Sequence, residues 1–213
     1  MARWGKFITV EGIDGSGKST LLDAVHRRIL NLLPPDKVVR THEPGGTPFA
    51  DLLRAALSER VEREPMAELF TLMAARYDHT KRKIIPALQS GKVVLCDRYS
   101  DSTFAYQVFG KGLEYYTVAR FNKVATLGIK PKLTLLIDVP VEVALGRLAA
   151  KGKLDHYESL DRAFFERVRY GYLALARRAK KRIKVLDGTR PPEEVLEEAM
   201  GYVMEVLGWP SLK

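Results

Sequence analysis

The sequence predicts an α/β protein, a three-layer fold in which a five-stranded parallel sheet carries helices on both faces. Three observations point to it. Apolar runs of strand length alternate with stretches of helical period along the whole chain, and strands separated by helices pair in parallel through right-handed crossovers. The run Val93-Val94-Leu95-Cys96 is unbroken by any polar residue, as suits a central strand buried on both faces. The first strand runs directly into a glycine-rich turn that opens a helix.

Taken in order, Lys6 to Val10 reads as the first strand. From Lys18 onward, Leu22, Val25, Ile29 and Leu32 or Leu33 recur at steps of three and four, a helix ended by Pro34-Pro35. Lys37 to Thr41 is a second strand. Glu43-Pro44-Gly45-Gly46-Thr47 is a loop whose threonine caps a helix to about Ser58. A long helix covers Pro65 to Gln89, with Pro86 near its end, and Lys92 to Cys96 is the third strand. Helix follows from Ser102 to Leu127, in two pieces around Gly110 and Gly112. Leu133 to Val139 is the fourth strand, and Pro140 starts a helix through Leu148. A polar, basic loop interrupted by Gly152 leads to a helix over Leu160 to Arg182, and then to the last strand, Ile183 to Leu186. Asp187-Gly188-Thr189 turns into a final helix. Pro191 and Pro192 suit its first turn, and Val195, Ala199, Val203 and Val206 line its inner face.

Length and composition bound what this fold can do. The chain has 213 residues with 46% apolar content, enough for a single domain over 1–213. Its formal charge is +9, from 35 basic and 26 acidic residues, which favours anionic partners without choosing among nucleotides, nucleic acid and acidic membranes. The one cysteine, Cys96, lies inside an apolar strand, so neither an intrachain disulfide nor a cysteine zinc site is expected. His26, His42, His79 and His156 show no metal-ligand spacing. No apolar stretch has the length of a membrane span, and the N-terminus lacks the apolar core of a signal peptide. The expected setting is the cytoplasm.

The turn after the first strand is Gly12-Ile13-Asp14-Gly15-Ser16-Gly17-Lys18-Ser19. It matches G-x-x-x-x-G-K-[ST], the P-loop pattern, so the three-layer fold is that of the P-loop NTPases. Polyphosphate oxygens need many donors packed closely, so the backbone itself must approach them. Glycines 12, 15 and 17 remove the obstructing Cβ. Consecutive N–H groups, with Ser16 and Thr20 included, then form a nest at the start of a helix whose dipole favours anions. Lys18 is expected to reach the β- and γ-phosphates of a nucleoside triphosphate, and the Ser19 hydroxyl can ligate Mg²⁺. Asp97, at the carboxyl end of the third strand, is placed to hold the same Mg²⁺ indirectly, through water or another ligand.

Four blocks in order resemble one family. Phe7-Ile8-Thr9-Val10-Glu11-Gly12 with the P-loop and Thr20, Glu43-Pro44-Gly45-Gly46-Thr47, and Asp97-Arg98-Tyr99 with Ser102, Ala105, Tyr106 and Gln107 are similar to the thymidylate kinases. Leu154-Asp155 with Glu158 is similar to their lid, approximately 147–159 here. The resemblance implies phosphoryl transfer from Mg-ATP to dTMP, giving dTDP and ADP for dTTP synthesis, in a homodimer formed through helices. It implies that Arg98 holds the acceptor phosphate, that Arg54 contacts the same phosphate, and that Asp14 holds the acceptor sugar or orients Arg98. Arg76 would bond the thymine carbonyl, while Ser102, Tyr106 and Gln107 line base and sugar, with Tyr106 crowding the 2′ position. Some members place an arginine at the position of Gly15. Members without it carry basic lid residues, here Arg147, Lys151 and Lys153, and Arg147 or Lys153 would stabilise charge on the transferring group.

Three positions depart from the family pattern. Leu72 stands where an aromatic residue is expected to stack on thymine, His156 where the lid has arginine, and His42 where arginine precedes the E-P-G-G-T loop. Leu72 covers a base without π-stacking it. Two further readings share the P-loop: another nucleoside-monophosphate or deoxynucleoside kinase, and a protein whose nucleotide regulates nucleic-acid binding. Small-molecule acceptors are favoured over nucleic acid, because the sequence has no recognition-helix motif and no aromatic-rich basic stripe.

Overall fold

A computed structural model describes residues 4–59, 61–150 and 162–209. The sheet comprises β1 (Lys6–Glu11), β2 (Val38–His42), β3 (Val93–Asp97), β4 (Leu133–Asp138) and β5 (Ile183–Asp187). Their order is β2-β3-β1-β4-β5, and every pairing is parallel. β1 lies centrally between β3 and β4, where the chain's path across the sheet reverses, and ligands collect outside the carboxyl ends of strands at such a point. The register sets Val10 beside Asp97. Gly12 and Arg98 therefore leave the sheet on neighbouring strands, and the Arg98 N–H still bonds the Val10 carbonyl at 3.0 Å.

Strand alternation assigns side chains to opposite faces. Phe7, Val94 and Cys96 pack with Ile84, Leu88 and Tyr99. Ile8, Val10 and Leu95 join a larger cluster with Leu22, Val25 and Ile29 of α1 (Lys18–Leu30) and Val195, Ala199 and Val203 of α9 (Pro192–Leu207). Each such side chain withdrawn from water contributes roughly 1.5–3 kcal/mol. Cys96 is a buried free thiol, and burial holds its pKa well above the usual range.

Three stretches differ from the expected regular helices. Pro65 to Gln89 is helical throughout, but α3 (Pro65–His79) and α4 (Ile85–Gln89) are joined by a π-turn, Thr80–Ile84. Pro86 has no N–H for the Arg82 carbonyl and its ring crowds that group, which the wider turn accommodates. The region from Ser102 resolves into α5 (Ser100–Thr103), a π-helix over Phe104–Gly110, and α6 (Tyr115–Ala125). Glu114 caps α6, its carboxylate accepting from the Tyr116 and Thr117 N–H groups. α8 (Arg162–Arg178) stops short of Arg182, whose guanidinium is drawn into a two-pronged pair with Asp101 at 2.6 and 2.8 Å. The remaining helices, α2 (Pro48–Ser58) and α7 (Val141–Ala149), follow the expected spans closely. Thr47 caps α2 by accepting from the Ala50 N–H.

Candidate active site

Between β1 and α1 the chain wraps into the phosphate cradle. Gly12, Gly15 and Gly17 all take positive φ, at 147°, 79° and 102°. A Cβ at Gly15 would lie 2.3 Å from the Ala144 carbonyl oxygen of α7, so this cradle has no room for the arginine some relatives were expected to carry there. The Lys18 side chain is buried, and its ammonium donates to the Ile13 carbonyl at 2.8 Å and lies 3.7 Å from Asp14. Burial, then the charge of Arg98, bring Lys18 down to about 8, against the pull of Asp14, Asp97 and Glu11. Anionic phosphates in the cradle reverse that balance and favour the ammonium.

Ser19 Oγ donates to Asp97 Oδ2 at 3.1 Å. Asp97 Oδ1 and Ser16 Oγ are buried without a hydrogen-bond partner among the described residues. Unpaired oxygens cost free energy unless a ligand completes them. An orphaned carboxylate oxygen beside a hydroxyl suits Mg²⁺, which takes one or two protein oxygens and the rest from phosphates and water.

Arg98 follows β3 in the left-handed region, at φ 66°. Its Nη2 pairs with Asp14 and lies 3.1 Å from the Tyr106 hydroxyl. Its Nη1 donates to the Gly12 carbonyl at 3.1 Å, to Ser102 Oγ at 3.1 Å and to the Tyr172 hydroxyl at 3.0 Å. Tyr106 also donates to Asp14 Oδ2 at 2.6 Å. Burial raises the Asp14 carboxyl, but the charges of Arg98 and Lys18 and the Tyr106 hydroxyl outweigh it and bring Asp14 down to about 2.

Two clefts meet at this cluster. The larger, about 1390 Å³, runs along the cradle from Asp14 to Thr20, past Asp97, Arg98 and Arg147, to Gly188, Thr189 and Arg190. The smaller, about 130 Å³, is lined by Arg54, Leu72, Arg76, Ser102, Tyr106 and Gln107. Asp14, Glu43, Arg54 and Arg98 face both. Arg54 donates to the Pro44 carbonyl at 3.0 Å. Arg147 bridges the Ser16 and Gly188 carbonyls at 3.2 and 3.0 Å, lying over the cradle. Gln107 is tied to the buried Glu68 at 3.0 Å, as is Lys111 at 2.7 Å. Leu72 faces the smaller cleft, whereas Phe70 is 51% exposed and packs edge-on against Phe121. Lys153, with Lys151, Gly152, Leu154, Asp155, His156 and Glu158, lies outside the described residues, as does most of the expected lid.

Arg76 is buried rather than presented on a helix surface. It donates through Nε to Glu43 at 2.7 Å, through Nη1 to Thr103 and Asn122 at 2.6 Å each, and through Nη2 to the Tyr99 carbonyl at 3.0 Å. One N–H remains for a ligand in the cleft it lines. His79 Nδ1 lies 3.0 Å from the other Glu43 oxygen.

Residues 10–199 match the family model described as Thymidylate kinase. The chain belongs to the thymidylate kinase family. It is 42% identical over 219 aligned residues to the thymidylate kinase of Geobacter sp. (strain M21), with 98% of this chain and 96% of that one covered. It is 45% identical over 193 residues to that of Pseudomonas putida (strain GB-1), covering 90% and 91%. The crystal structure of thymidylate kinase from Ehrlichia chaffeensis is similar with a TM-score of 0.78 at 30% identity, over 94% of this chain and 99% of that one.

Within this member of the thymidylate kinase family, several site residues lay beyond sequence reasoning. Tyr172, on α8, reaches Arg98 across a separation of 74 residues, and nothing in its helix marks it out. Glu43 was visible only as part of a loop, not as the partner of Arg76. Glu11 carried a usable signal, since it is an acid closing an apolar strand directly before the cradle. Burial and the nearby Asp101 raise its carboxyl from 4.5 to about 7.

Proposed function

We infer that this member of the thymidylate kinase family transfers the γ-phosphoryl group of Mg-ATP to dTMP, giving dTDP and ADP. The observation that carries this reading is the meeting of two clefts at Asp14 and Arg98, with the Lys18 ammonium on the donor side. Two phosphate-bearing ligands placed end to end bring their negative groups together at that point.

The acceptor is a phosphate oxygen, already anionic at neutral pH, so no general base is required. The protein's work is alignment and charge cancellation. The cradle from Gly12 to Thr20 holds the donor phosphates. Lys18 meets the β- and γ-phosphates, and Arg147 lies against the same loop. Ser19 would hold Mg²⁺, with Asp97 behind it through water, and the ion would supply further neutralisation of phosphate charge. Arg98 and Arg54 hold the acceptor phosphate, and Asp14 orients Arg98 through their pair. Arg76 offers its remaining N–H to the base, Leu72 covers it, and Ser102, Tyr106 and Gln107 bound the sugar and base. Lys153 belongs to the lid cations expected to close over the donor.

Exposed apolar side chains support a homodimer. Phe49 and Leu52 (70% exposed) on α2, Phe70 and Tyr77 on α3, and Val124 (66%) on α6 are carried by helices that pack side by side. No helix among the described residues is long and apolar enough to cross a membrane, and a cytoplasmic setting suits a lone free thiol and freely diffusing nucleotide substrates. The test is ADP formation from Mg-ATP across a panel of acceptors. Rapid turnover with dTMP is expected. Preference for UMP, CMP or thymidine would overturn the acceptor, and ADP formation independent of any acceptor would overturn the transfer.

A further inference from the structure

Arg98 occupies an awkward backbone position for a residue with a Cβ, at φ 66°, a conformation costing roughly 1–2 kcal/mol. Contacts on both sides of the residue hold it there. Its own N–H bonds the Val10 carbonyl at 3.0 Å, and the next N–H, of Tyr99, donates to Glu11 Oε1 at 2.7 Å. The other Glu11 oxygen accepts from Ser102 Oγ at 2.6 Å and from the Tyr172 hydroxyl at 3.0 Å. Both hydroxyl oxygens in turn accept from Arg98 Nη1. Guanidinium N–H groups donate to hydroxyl oxygens and hydroxyl O–H to the carboxylate, with Ser102 Oγ and the Tyr172 hydroxyl also 2.7 Å apart. Glu11 thus anchors the backbone just after Arg98 and, through Ser102 and Tyr172, the rear edge of its guanidinium.

Glu11 is fully buried, Tyr172 is 2% exposed, and neither lines either cleft. They touch no ligand position themselves and act through Arg98, directly or by way of Ser102. Asp14 and Tyr106, by contrast, hold Nη2 from the cleft side. We propose that Tyr172 and Glu11 are positioning residues that lock the Arg98 guanidinium from behind, in the orientation that aligns the acceptor phosphate for transfer. The inference rests on the functional reading above and adds two residues to it. Rotation of an unlocked guanidinium would leave acceptor and donor phosphates bound but poorly aligned, which costs rate more than donor affinity.

The test is a double-mutant cycle on the full chain, with dTMP and Mg-ATP as substrates and melting temperature recorded for each variant. Tyr172→Phe keeps the ring packing and removes only the hydroxyl. It is expected to lower kcat about tenfold with the KM for ATP unchanged. In an Arg98→Lys background, which lacks the forked Nη1 edge, the same change is expected to cost less than about twofold, because its route of action is already gone. Glu11→Gln run through the same cycle should show the same loss of effect, and it serves alone if Tyr172→Phe does not fold. A merely structural role would give equal losses in both backgrounds, and that additive result overturns the proposal. So does a folded Tyr172→Phe with the parent's kcat. A parent without dTMP-dependent turnover overturns the functional reading and this proposal together, whereas an active parent with additive losses overturns the proposal alone.

Discussion

The donor cradle draws its groups from one run, Gly12 to Thr20, largely as backbone N–H groups between β1 and α1. The acceptor pocket draws on side chains from α2, α3, the π-helix after α5 and the turn after β3. The first is local and needs glycine more than any particular side chain. The second is a web of buried charge: Glu43 holds Arg76, and Asp14 holds Arg98. A backbone cradle recognises any polyphosphate, so selectivity for one acceptor must reside in the side-chain web. Low-dielectric surroundings make that web costly to disturb.

The sharpest way to break this contrast is at the single side chain the cradle does depend on. Lys18→Met should lower kcat for dTDP formation by about 10³-fold while circular dichroism shows an intact fold. Activity equal to the parent's would remove Lys18 from the transfer. On the acceptor side the penalty should fall on stability as well. Arg76→Met leaves the buried Glu43 with His79 as its side-chain partner among the described residues, so urea unfolding should show a loss of about 3 kcal/mol, together with a raised KM for dTMP. A loss confined to KM would mean that the web is a binding surface and not part of the core.

A third prediction uses pH to probe the boundary between the two regions. The Glu11 carboxyl is raised from 4.5 to about 7 in the folded chain. The folded state therefore binds the proton more tightly than the unfolded one. The stability linked to this proton is fully present below the unfolded value near 4.5 and is lost as pH rises to about 7. The parent should lose up to about 3 kcal/mol more than Glu11→Gln between pH 4.5 and 7.5 in denaturant titrations. Parallel curves would mean that Glu11 is ionised throughout. The smallest effect is expected at Leu72→Phe, where an aromatic face in the acceptor cleft should lower the KM for dTMP by about two- to tenfold, with kcat little changed. A raised KM would show that the cleft is too tight for a ring.

Much of this was readable in advance. The predicted strands lie within about two residues of those observed, because unbroken apolar runs flanked by helical periods leave little choice of element. The P-loop was legible because its ligand groups are contiguous. The π-turns at Thr80–Ile84 and Phe104–Gly110 were not, since one extra residue in a turn barely alters an amphipathic pattern. Arg76 and Arg98 were named from the family's motifs, yet nothing in their neighbourhoods told that Arg76 is buried among Glu43, Thr103 and Asn122. Nothing in the spacing of the helix that carries Tyr172 sets it apart from its other apolar and aromatic residues.

Sequence by itself determined the parallel α/β sheet, the phosphate cradle at the end of its first strand, and the family. Each depends on patterns of neighbours within a turn or a strand, where backbone propensity and side-chain period decide the outcome. Only the tertiary structure decided which carboxylate holds which arginine, how the two clefts meet at Asp14, and what stands behind Arg98. The pairs Glu43–Arg76, Asp14–Arg98 and Glu11–Tyr172 span 33, 84 and 161 positions, and they are settled by packing and by the need of every buried charge to find a partner, which no local pattern records.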